Sequence, residues 1–321
     1  TRFKGAVQKP MTMMKDQDIL SPEETFLWEC ARNWRTPALS NPEEELDWRQ
    51  VYKVCQQNRM QALLWPVLAQ TGLADTLPQD VVQALREDVS LLAETAERMS
   101  EALRDYLRRA AGRGLEAVVI KGLSVSVNVY GDAGVRPGGD VDLLVRREQV
   151  DESIAVLEEM GLGQWWPNLL DDAYYDRHHL HQQRCSKDIK IWFEIHWALD
   201  HPYTLLTIDY EAMMDRAQPG KLLGEPVQDL SPPDLLLSLA VHLVKHAVYL
   251  PSVLERPDLP RIILADGMLL YYVDIAEAIR LLSEEIDWQF TLDLAQQSGA
   301  VEIFGSVFRV CRHLLEAPVP D

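Results

Sequence analysis

Cysteine is scarce in this sequence, and no two cysteines have the CxxC spacing of a zinc site. The four residues stand apart along the chain, at Cys30, Cys55, Cys185 and Cys311. A chain of 321 residues can bury a core large enough to be stable without disulfide bonds. The cysteine pattern therefore predicts a reducing compartment, and we expect a cytoplasmic protein.

Long apolar segments are also missing. No apolar run approaches the roughly 20 residues that a membrane-spanning helix needs. Hydrophobic residues make up 47% of the chain and charged residues 25%, which are ordinary values for a globular protein. The sequence predicts a soluble protein with no membrane partner.

Positive charge is in short supply as well. Acidic residues outnumber basic ones 50 to 31, which gives a formal net charge of −19. Because such a surface repels phosphate backbones, a long nucleic acid is disfavoured as a substrate or partner. The one basic stretch, Arg104–Arg113, is interpreted as the solvated face of a helix that ends at a glycine.

The order of apolar patterns predicts an α+β fold, in which a small mixed sheet is flanked by N- and C-terminal helical regions. Helical periodicity follows the capping sequence SPEE near Ser21, and it returns with LSPPDLLLSLAVHLVKH. Between these regions, LEAVVIKG, DVDLLV and IKIWFEIHW are typical of strands. We divide the chain into a loose tail at 1–20, helices at 21–113, a mixed core at 114–228 and helices at 229–321.

Two aspartates are separated by one residue on the predicted strand DVDLLV. Because side chains alternate across a strand, Asp140 and Asp142 project to one face, and the apolar residues between and after them project to the other. Two carboxylates this close repel each other, and a divalent cation relieves the repulsion. Oxygen ligands with open coordination positions suit Mg²⁺ or Mn²⁺, which also bind nucleotide phosphates. An Asp-x-Asp pair alone is weak evidence, since turns and solvated edge strands also contain it.

A third carboxylate is predicted on the strand IKIWFEIHW. Glu194 and His196 share one face of this strand, opposite its isoleucines and phenylalanine. A polar pair in so apolar a strand costs roughly 2–7 kcal/mol if it stays unsatisfied. We expect Glu194 to complete the metal site. His196 is expected either to contact the substrate or to hydrogen-bond the metal ligands.

A phosphate-binding turn is predicted where the strand LEAVVIKG ends. Glycine at Gly122 lets the backbone approach a phosphate, and Lys121 and Ser124 offer side-chain contacts. Arg136, in the glycine-rich loop before the aspartates, is a further candidate ligand for a triphosphate. The P-loop string GxxxxGK[ST] is absent. A tight turn without a ligand, and a loop arginine paired with surface carboxylates, remain the structural alternatives.

Several other polar or aromatic residues are explained more simply by packing. The histidine pair at helical spacing lacks the HExxH string and an acidic third ligand, and hairpin histidines are commonly surface residues. A buried aspartate can satisfy a helix-to-helix hydrogen bond, and a tryptophan pair commonly packs in the core. These residues are His242 with His246, the cluster His178, His179 and His181, Asp274, and Trp165 with Trp166.

Together the motifs resemble a known family. KG, VYGD and RPGGDVDLLV, followed about fifty residues later by FEIHW, look like the uncharacterised bacterial nucleotidyltransferases of the DNA polymerase β superfamily. The flanking segments NRMQALLWPVL, LSPPDLLLSLAVHLVKH and LLYYVDIAEAI are also similar to that family, so the resemblance extends from about residue 25 onward. It implies a nucleotidyltransferase core with Asp140, Asp142 and Glu194 as catalytic metal ligands. The superfamily's usual Gly-Ser pair is replaced here by Lys121-Gly122.

The resemblance implies an enzyme that uses Mg²⁺ or Mn²⁺ to move a nucleoside monophosphate from an NTP, such as ATP, to an acceptor. A small molecule, a peptide or a protein side chain could be that acceptor. A catalytically silent nucleotide-binding or antitoxin-like module with a partner protein is one alternative. A transferase that moves a different group from a nucleotide sugar is another.

Overall fold

The computed structural model describes most of the chain. The described residues are 20–36, 45–136, 138–164, 174, 177–186, 190–247, 256 and 258–320. Nearly all of the predicted tail and the pair Trp165 and Trp166 lie outside them.

Contacts divide the described residues into two compact units. The first takes its residues from Thr1–Leu91, Leu243–Ser283 and Glu302–Asp321, and the second from Leu92–His242 and Glu284–Val301. All strands of the described sheet belong to the second unit. The four-part division made from the sequence stays a prediction.

Twelve α-helices are formed by the described residues. They are α1 (Pro22–Asn33), α2 (Trp48–Gln57), α3 (Gln61–Thr71), α4 (Gln79–Ala111), α5 (Leu123–Val125), α6 (Val150–Glu159), α7 (Tyr210–Arg216), α8 (Pro232–His246), α9 (Leu259–Ala265), α10 (Leu269–Leu281), α11 (Trp288–Ser298) and α12 (Val301–Leu314). A single π-helical turn, Ser126–Tyr130, extends α5. Within the described part of the chain, no helix has both the length and the apolar character needed to cross a membrane.

The first helix starts as its sequence predicts. Ser21 accepts a hydrogen bond from the backbone N–H of Glu24, the Glu24 side chain accepts one from the backbone N–H of Ser21, and Pro22 occupies the first helical position. This reciprocal capping satisfies two N–H groups that the first turn would otherwise leave without partners. Helix α2 is capped in a related way by Asp47.

A six-stranded mixed sheet forms the centre of the second unit. Its strands are β1 (Ala117–Val119), β2 (Asp140–Val145), β3 (His181–Cys185), β4 (Trp192–His196), β5 (Gln218–Leu222) and β6 (Glu225–Asp229). Their order is β3-β4-β2-β1-β6-β5, with parallel pairing of β2 with β4 and of β1 with β6, and antiparallel pairing elsewhere. The α+β fold class predicted from the sequence is confirmed.

One face of the central strands is buried in an apolar core. Val141 and Leu143 of β2, with Phe193 and Ile195 of β4, are at most 1% exposed and belong to this core. Tyr106 of α4 packs against Phe193, with ring centroids 5.9 Å apart. Because side chains alternate along each strand, this burial fixes the register and turns the polar residues of both strands to the other face.

The hairpin of β5 and β6 was not anticipated from the sequence. Its turn is Leu223-Gly224, and both residues have positive φ, 54° and 87°. This is the backbone of a two-residue hairpin turn, in which glycine carries no steric cost. The hairpin places β6 beside β1, where the two strands run parallel.

Candidate active site

Strands β2 and β4 carry the predicted carboxylates side by side. They pair in parallel, and the register sets Asp142 opposite Glu194 and Leu144 opposite His196. Residues directly across from each other project to the same face of a sheet, and Asp140 lies two positions before Asp142 on that face. One oxygen from each of Asp140, Asp142 and Glu194 lies within 4.8 Å of one oxygen from each of the other two. The sheet therefore brings together the three acids that the sequence singled out.

Two donors of the chain contact these acids. The Nζ atom of Lys121 is 2.9 Å from Oδ1 of Asp142 and 3.9 Å from Oδ2 of Asp140. The Nε2 atom of His196 is 2.9 Å from the same Oδ1 of Asp142 and 3.1 Å from Oε2 of Glu194. Both donors are largely shielded from solvent, which strengthens their interactions with the carboxylates.

Burial and neighbouring charge shift the pKa values of Asp140 and Glu194 in opposite directions. Burial raises the pKa of Asp140, and repulsion from Asp142 raises it further, so that it reaches about 6 despite the opposing effect of Lys121. Burial also tends to raise the pKa of Glu194, but the hydrogen bond from His196 and the charge of His181 outweigh it, and the pKa falls below its usual value. The carboxylate of Glu194 thus stays ionised. Asp140 loses its proton less readily, so a bound cation would stabilise its charged form most.

The acids raise the pKa values of both donors. Burial lowers the pKa of His196, but its hydrogen bonds to Asp142 and Glu194 reverse the effect and leave the pKa above its usual value. Burial also lowers the pKa of Lys121, and the charges of Asp142 and Asp140 outweigh it in the same way. Lys121 is therefore a permanent cation at neutral pH.

A divalent cation fits this group of acids. The Oδ2 atom of Asp142 is buried and accepts no hydrogen bond from any described residue. Leaving a buried acceptor unsatisfied costs about 1–3 kcal/mol, and more for a charged group. A cation on this oxygen would remove that cost, and a donor set made only of carboxylate oxygens suits Mg²⁺ or Mn²⁺.

The predicted phosphate-binding turn adjoins the acids. Gly122 has φ 55° and ψ −110°, a conformation that side chains disfavour strongly. A Cβ atom placed on Gly122 would be 3.5 Å from the backbone oxygen of Asp140 and 3.8 Å from Nη1 of Arg136. The turn therefore sits directly against the start of β2, and α5 begins at the next residue.

Arg136 reaches the same place from the glycine-rich loop. Its backbone N–H donates a hydrogen bond of 3.0 Å to Oγ of Ser126, and the residue is only 6% exposed. Its charge lowers the pKa of Asp140. Ser124, the second residue of α5, is half-buried and accepts a 3.4 Å hydrogen bond from Nδ2 of Asn128. The structure thus gathers Gly122 and Arg136 beside the acids and places Ser124 on the adjoining helix.

A comparison with protein-family models matches residues 44–316 to a family described as an uncharacterised nucleotidyltransferase. The chain belongs to this family. The match covers most of the chain and supports nucleotidyltransferase activity, so the resemblance and the enzyme class expected from the sequence are confirmed. Comparisons with curated proteins and with solved structures found no match. The metal's identity, the nucleotide's base and a cytoplasmic location stay predictions.

Two residues of this nucleotidyltransferase contact Glu194 without having been assigned to the site from the sequence. The antiparallel register of β3 and β4 sets Gln183 opposite Glu194 and His181 opposite His196. Nε2 of Gln183 donates a 2.5 Å hydrogen bond to Oε1 of Glu194, and Nε2 of His181 is 3.7 Å from that oxygen. Alternation along the hairpin was the available signal, because His181 and Gln183 lie on the Glu194 face once the register is known.

A small cleft adjoins the predicted phosphate-binding turn of the nucleotidyltransferase. It is mostly apolar and shares Arg136 with the site. Its walls come from α4, α5 and the glycine-rich loop, and consist of Leu92, Thr95, Ala96, Met99, Leu123, Ala133, Arg136 and Gly138. None of these residues except Arg136 was singled out from the sequence.

His242 and His246, the histidine pair at helical spacing, do not form a metal site with other described residues. Among them, the His, Cys, Asp and Glu groups compact enough to hold a metal are Asp140 with Asp142 and Glu194, and His181 with Glu194 and His196. His246 stacks on Tyr271, with ring centroids 5.4 Å apart.

Proposed function

We propose that this family member transfers a nucleoside monophosphate from an NTP to an acceptor other than long nucleic acid. The convergence of Asp140, Asp142 and Glu194 beside the Gly122 turn carries the proposal. A three-carboxylate centre next to a phosphate-binding turn provides what nucleotidyl transfer needs, namely positioning and charge neutralisation. A sugar phosphate, another small molecule, a peptide or a protein side chain fits this chemistry equally.

The reaction exchanges one bond at the α-phosphorus. An acceptor oxygen or nitrogen attacks that phosphorus, the bond to the β-phosphate's bridging oxygen breaks, and pyrophosphate leaves while the acceptor's proton passes to solvent. Asp140, Asp142 and Glu194 hold Mg²⁺, or Mn²⁺, in this proposal. When bound, the metal neutralises charge on the phosphates and favours ionisation of the acceptor.

Each remaining residue has a defined contact in the proposal. Arg136 binds the triphosphate as a planar donor, and the backbone at Gly122 with Ser124 lines the triphosphate path. The lowered pKa of Glu194 makes this residue a weak base, so it binds the cation and orients the acceptor. His196 and Gln183 fix the Glu194 carboxylate in place through their hydrogen bonds.

Isothermal titration of each NTP tests the donor half of the proposal. We expect binding that requires Mg²⁺ and is lost in an Asp140→Asn/Asp142→Asn double variant. Asp266→Asn, an exposed aspartate at the end of α9, is the matched control and should bind like the unmodified chain. Failure of the unmodified chain to bind any NTP with any divalent metal would refute nucleotidyl transfer.

The released product then distinguishes the reaction class. Incubation with ATP labelled at the α-phosphate, together with candidate acceptors, should release pyrophosphate and leave the label on the acceptor. Release of a nucleoside diphosphate from a nucleotide sugar would instead identify a transferase that moves a different group from a nucleotide sugar. Retention of an NTP without any turnover would favour the silent nucleotide-binding module.

A further inference from the structure

The two oxygens of Asp142 have very different surroundings. Oδ1 lies 2.9 Å from Nζ of Lys121 and 2.9 Å from Nε2 of His196. Oδ2 is buried and accepts no hydrogen bond from any described residue. One side of this carboxylate is therefore filled by the chain's own donors, and the other side is left for an outside cation.

Lys121 is built into the position between the two aspartates. Its ammonium contacts Asp142 at 2.9 Å and lies 3.9 Å from Asp140. The preceding residue, Ile120, donates its backbone N–H to the carbonyl oxygen of Asp142 at 3.1 Å, so the Lys121 backbone is tied to β2. The side chain is only 16% exposed, and the following glycine sets the turn that keeps it there.

The charges of the group leave room for one divalent cation. Three carboxylates and the lysine ammonium carry a net charge of −2, before any charge on His196 or Arg136 is counted, so a single divalent ion is enough to balance them. A second divalent ion within a few ångströms of the ammonium would be repelled strongly in this buried place. Two-metal phosphoryl-transfer sites keep their ions about 3.5–4 Å apart, and the Lys121 ammonium already lies 2.9 Å from Oδ1 of Asp142 and 3.9 Å from Oδ2 of Asp140, the two carboxylates that such a pair of ions would share.

We propose that Lys121 acts as a built-in monovalent cation between Asp140 and Asp142, so that the carboxylates bind one divalent cation instead of two. The inference rests on the proposed function, because it concerns the same carboxylates. It makes Lys121 a positioning residue and gives the Lys121-Gly122 sequence, which stands where the superfamily has Gly-Ser, a role in the metal centre.

Counting bound Mn²⁺ by electron paramagnetic resonance tests the proposal without using activity. The full chain is titrated in the presence of α,β-methylene-ATP, and the ions bound by this analogue alone are measured in parallel. We expect one Mn²⁺ per chain, and the same count for Lys121→Arg. Lys121→Met should bind two, the second at least about tenfold more tightly than any second ion on the unmodified chain, because the repulsion is gone. Lys221→Met, at an exposed lysine of β5, is the matched control and should bind one.

The measured count distinguishes a site for one divalent ion from a site for two. Two Mn²⁺ on the unmodified chain, with the spin-coupled spectrum of a close pair, would overturn the inference while leaving nucleotidyl transfer intact. One Mn²⁺ on a folded Lys121→Met chain would also overturn it, because the lysine would then not limit the count. If Lys121→Met does not fold by circular dichroism, the spectrum of the unmodified chain decides alone: an uncoupled single ion supports the inference. No Mn²⁺ binding at all would instead refute the proposed function.

Discussion

Replacing Asp142 with asparagine separates metal binding from folding. The amide keeps the shape of the side chain and an oxygen that can accept from Lys121 and His196, but it removes the charge that both contact. Hydrogen bonds to charged groups are worth about 1.5–3 kcal/mol each. The lost charge also relieves repulsion with Asp140 and Glu194, which is of similar size at an effective dielectric constant of about 20. Without metal, we therefore expect the free energy of unfolding to change by no more than about 2 kcal/mol.

Mg²⁺ should enlarge the difference in thermal stability between the unmodified protein and the Asp142→Asn variant. A ligand at a hundred times its dissociation constant stabilises the folded state by about 2.7 kcal/mol. For a unit of the size that contains the sheet, 1 kcal/mol corresponds to about 2–4 °C in Tm. The unmodified protein should thus gain about 5–11 °C from saturating Mg²⁺, and the Asp142→Asn variant should gain almost nothing.

Differential scanning calorimetry with and without Mg²⁺ measures both effects. NaCl at matched ionic strength controls for screening of the acidic surface, whose net charge is −19. Asp266→Asn controls for the loss of one carboxylate elsewhere and should keep the full shift. An Asp142→Asn variant that Mg²⁺ stabilises as much as the unmodified protein would show that these carboxylates do not hold the ion.

Three further predictions concern other parts of the molecule. Gly122→Ala should lower the free energy of unfolding by about 1–3 kcal/mol because of its positive φ, whereas Gly163→Ala, which meets nothing within 4 Å, should be close to neutral; equal denaturant midpoints would contradict this. Arg136→Lys should weaken ATP binding about tenfold at unchanged Tm, because lysine lacks the planar donor pair; an unchanged Kd in isothermal titration would remove Arg136 from the triphosphate site. Asn58 is fully buried, donates to the carbonyls of Val54 and Leu264 and accepts from the N–H of Leu269. Asn58→Ala should therefore cost about 3 kcal/mol or more in urea unfolding, and a loss below 1 kcal/mol would refute that reasoning.

The sequence predicted the parts of the site that depend on the alternation of side chains between the two faces of a strand. Asp140 and Asp142 are two apart on one strand, and the apolar residues between and after them reveal which face is buried. The same reasoning on IKIWFEIHW placed Glu194 and His196 together. The sequence could not reveal that β2 and β4 are neighbours in parallel, because their pairing joins segments about fifty residues apart. The family resemblance implied that Glu194 joins the two aspartates, but it did not predict this strand pairing.

The hairpin of β5 and β6 escaped prediction for a physical reason. Its strands, QPGKL and EPVQD, contain proline, glycine and charged residues, which are depleted in strands. Their pairing is stabilised by the turn at Leu223-Gly224 and by the position of β6 beside β1, which is a tertiary contact. A single leucine followed by glycine gives only a weak indication of such a turn.

Lys121 shows the limit of arguing from motif position. Next to a glycine at a strand end, its side chain was interpreted as a phosphate ligand, and that interpretation stays a prediction. The long, flexible side chain can point toward a phosphate or toward the strand beside it, and sequence spacing does not decide between the two. The structure directs the ammonium onto Asp142 and Asp140. Three acids in one place need positive charge even before a nucleotide arrives, and Lys121 supplies part of it. A lysine in this position lowers the charge that any divalent ion has to balance, so the same residue that weakens the analogy with a Gly-Ser phosphate turn strengthens the case that the acids form a working metal centre.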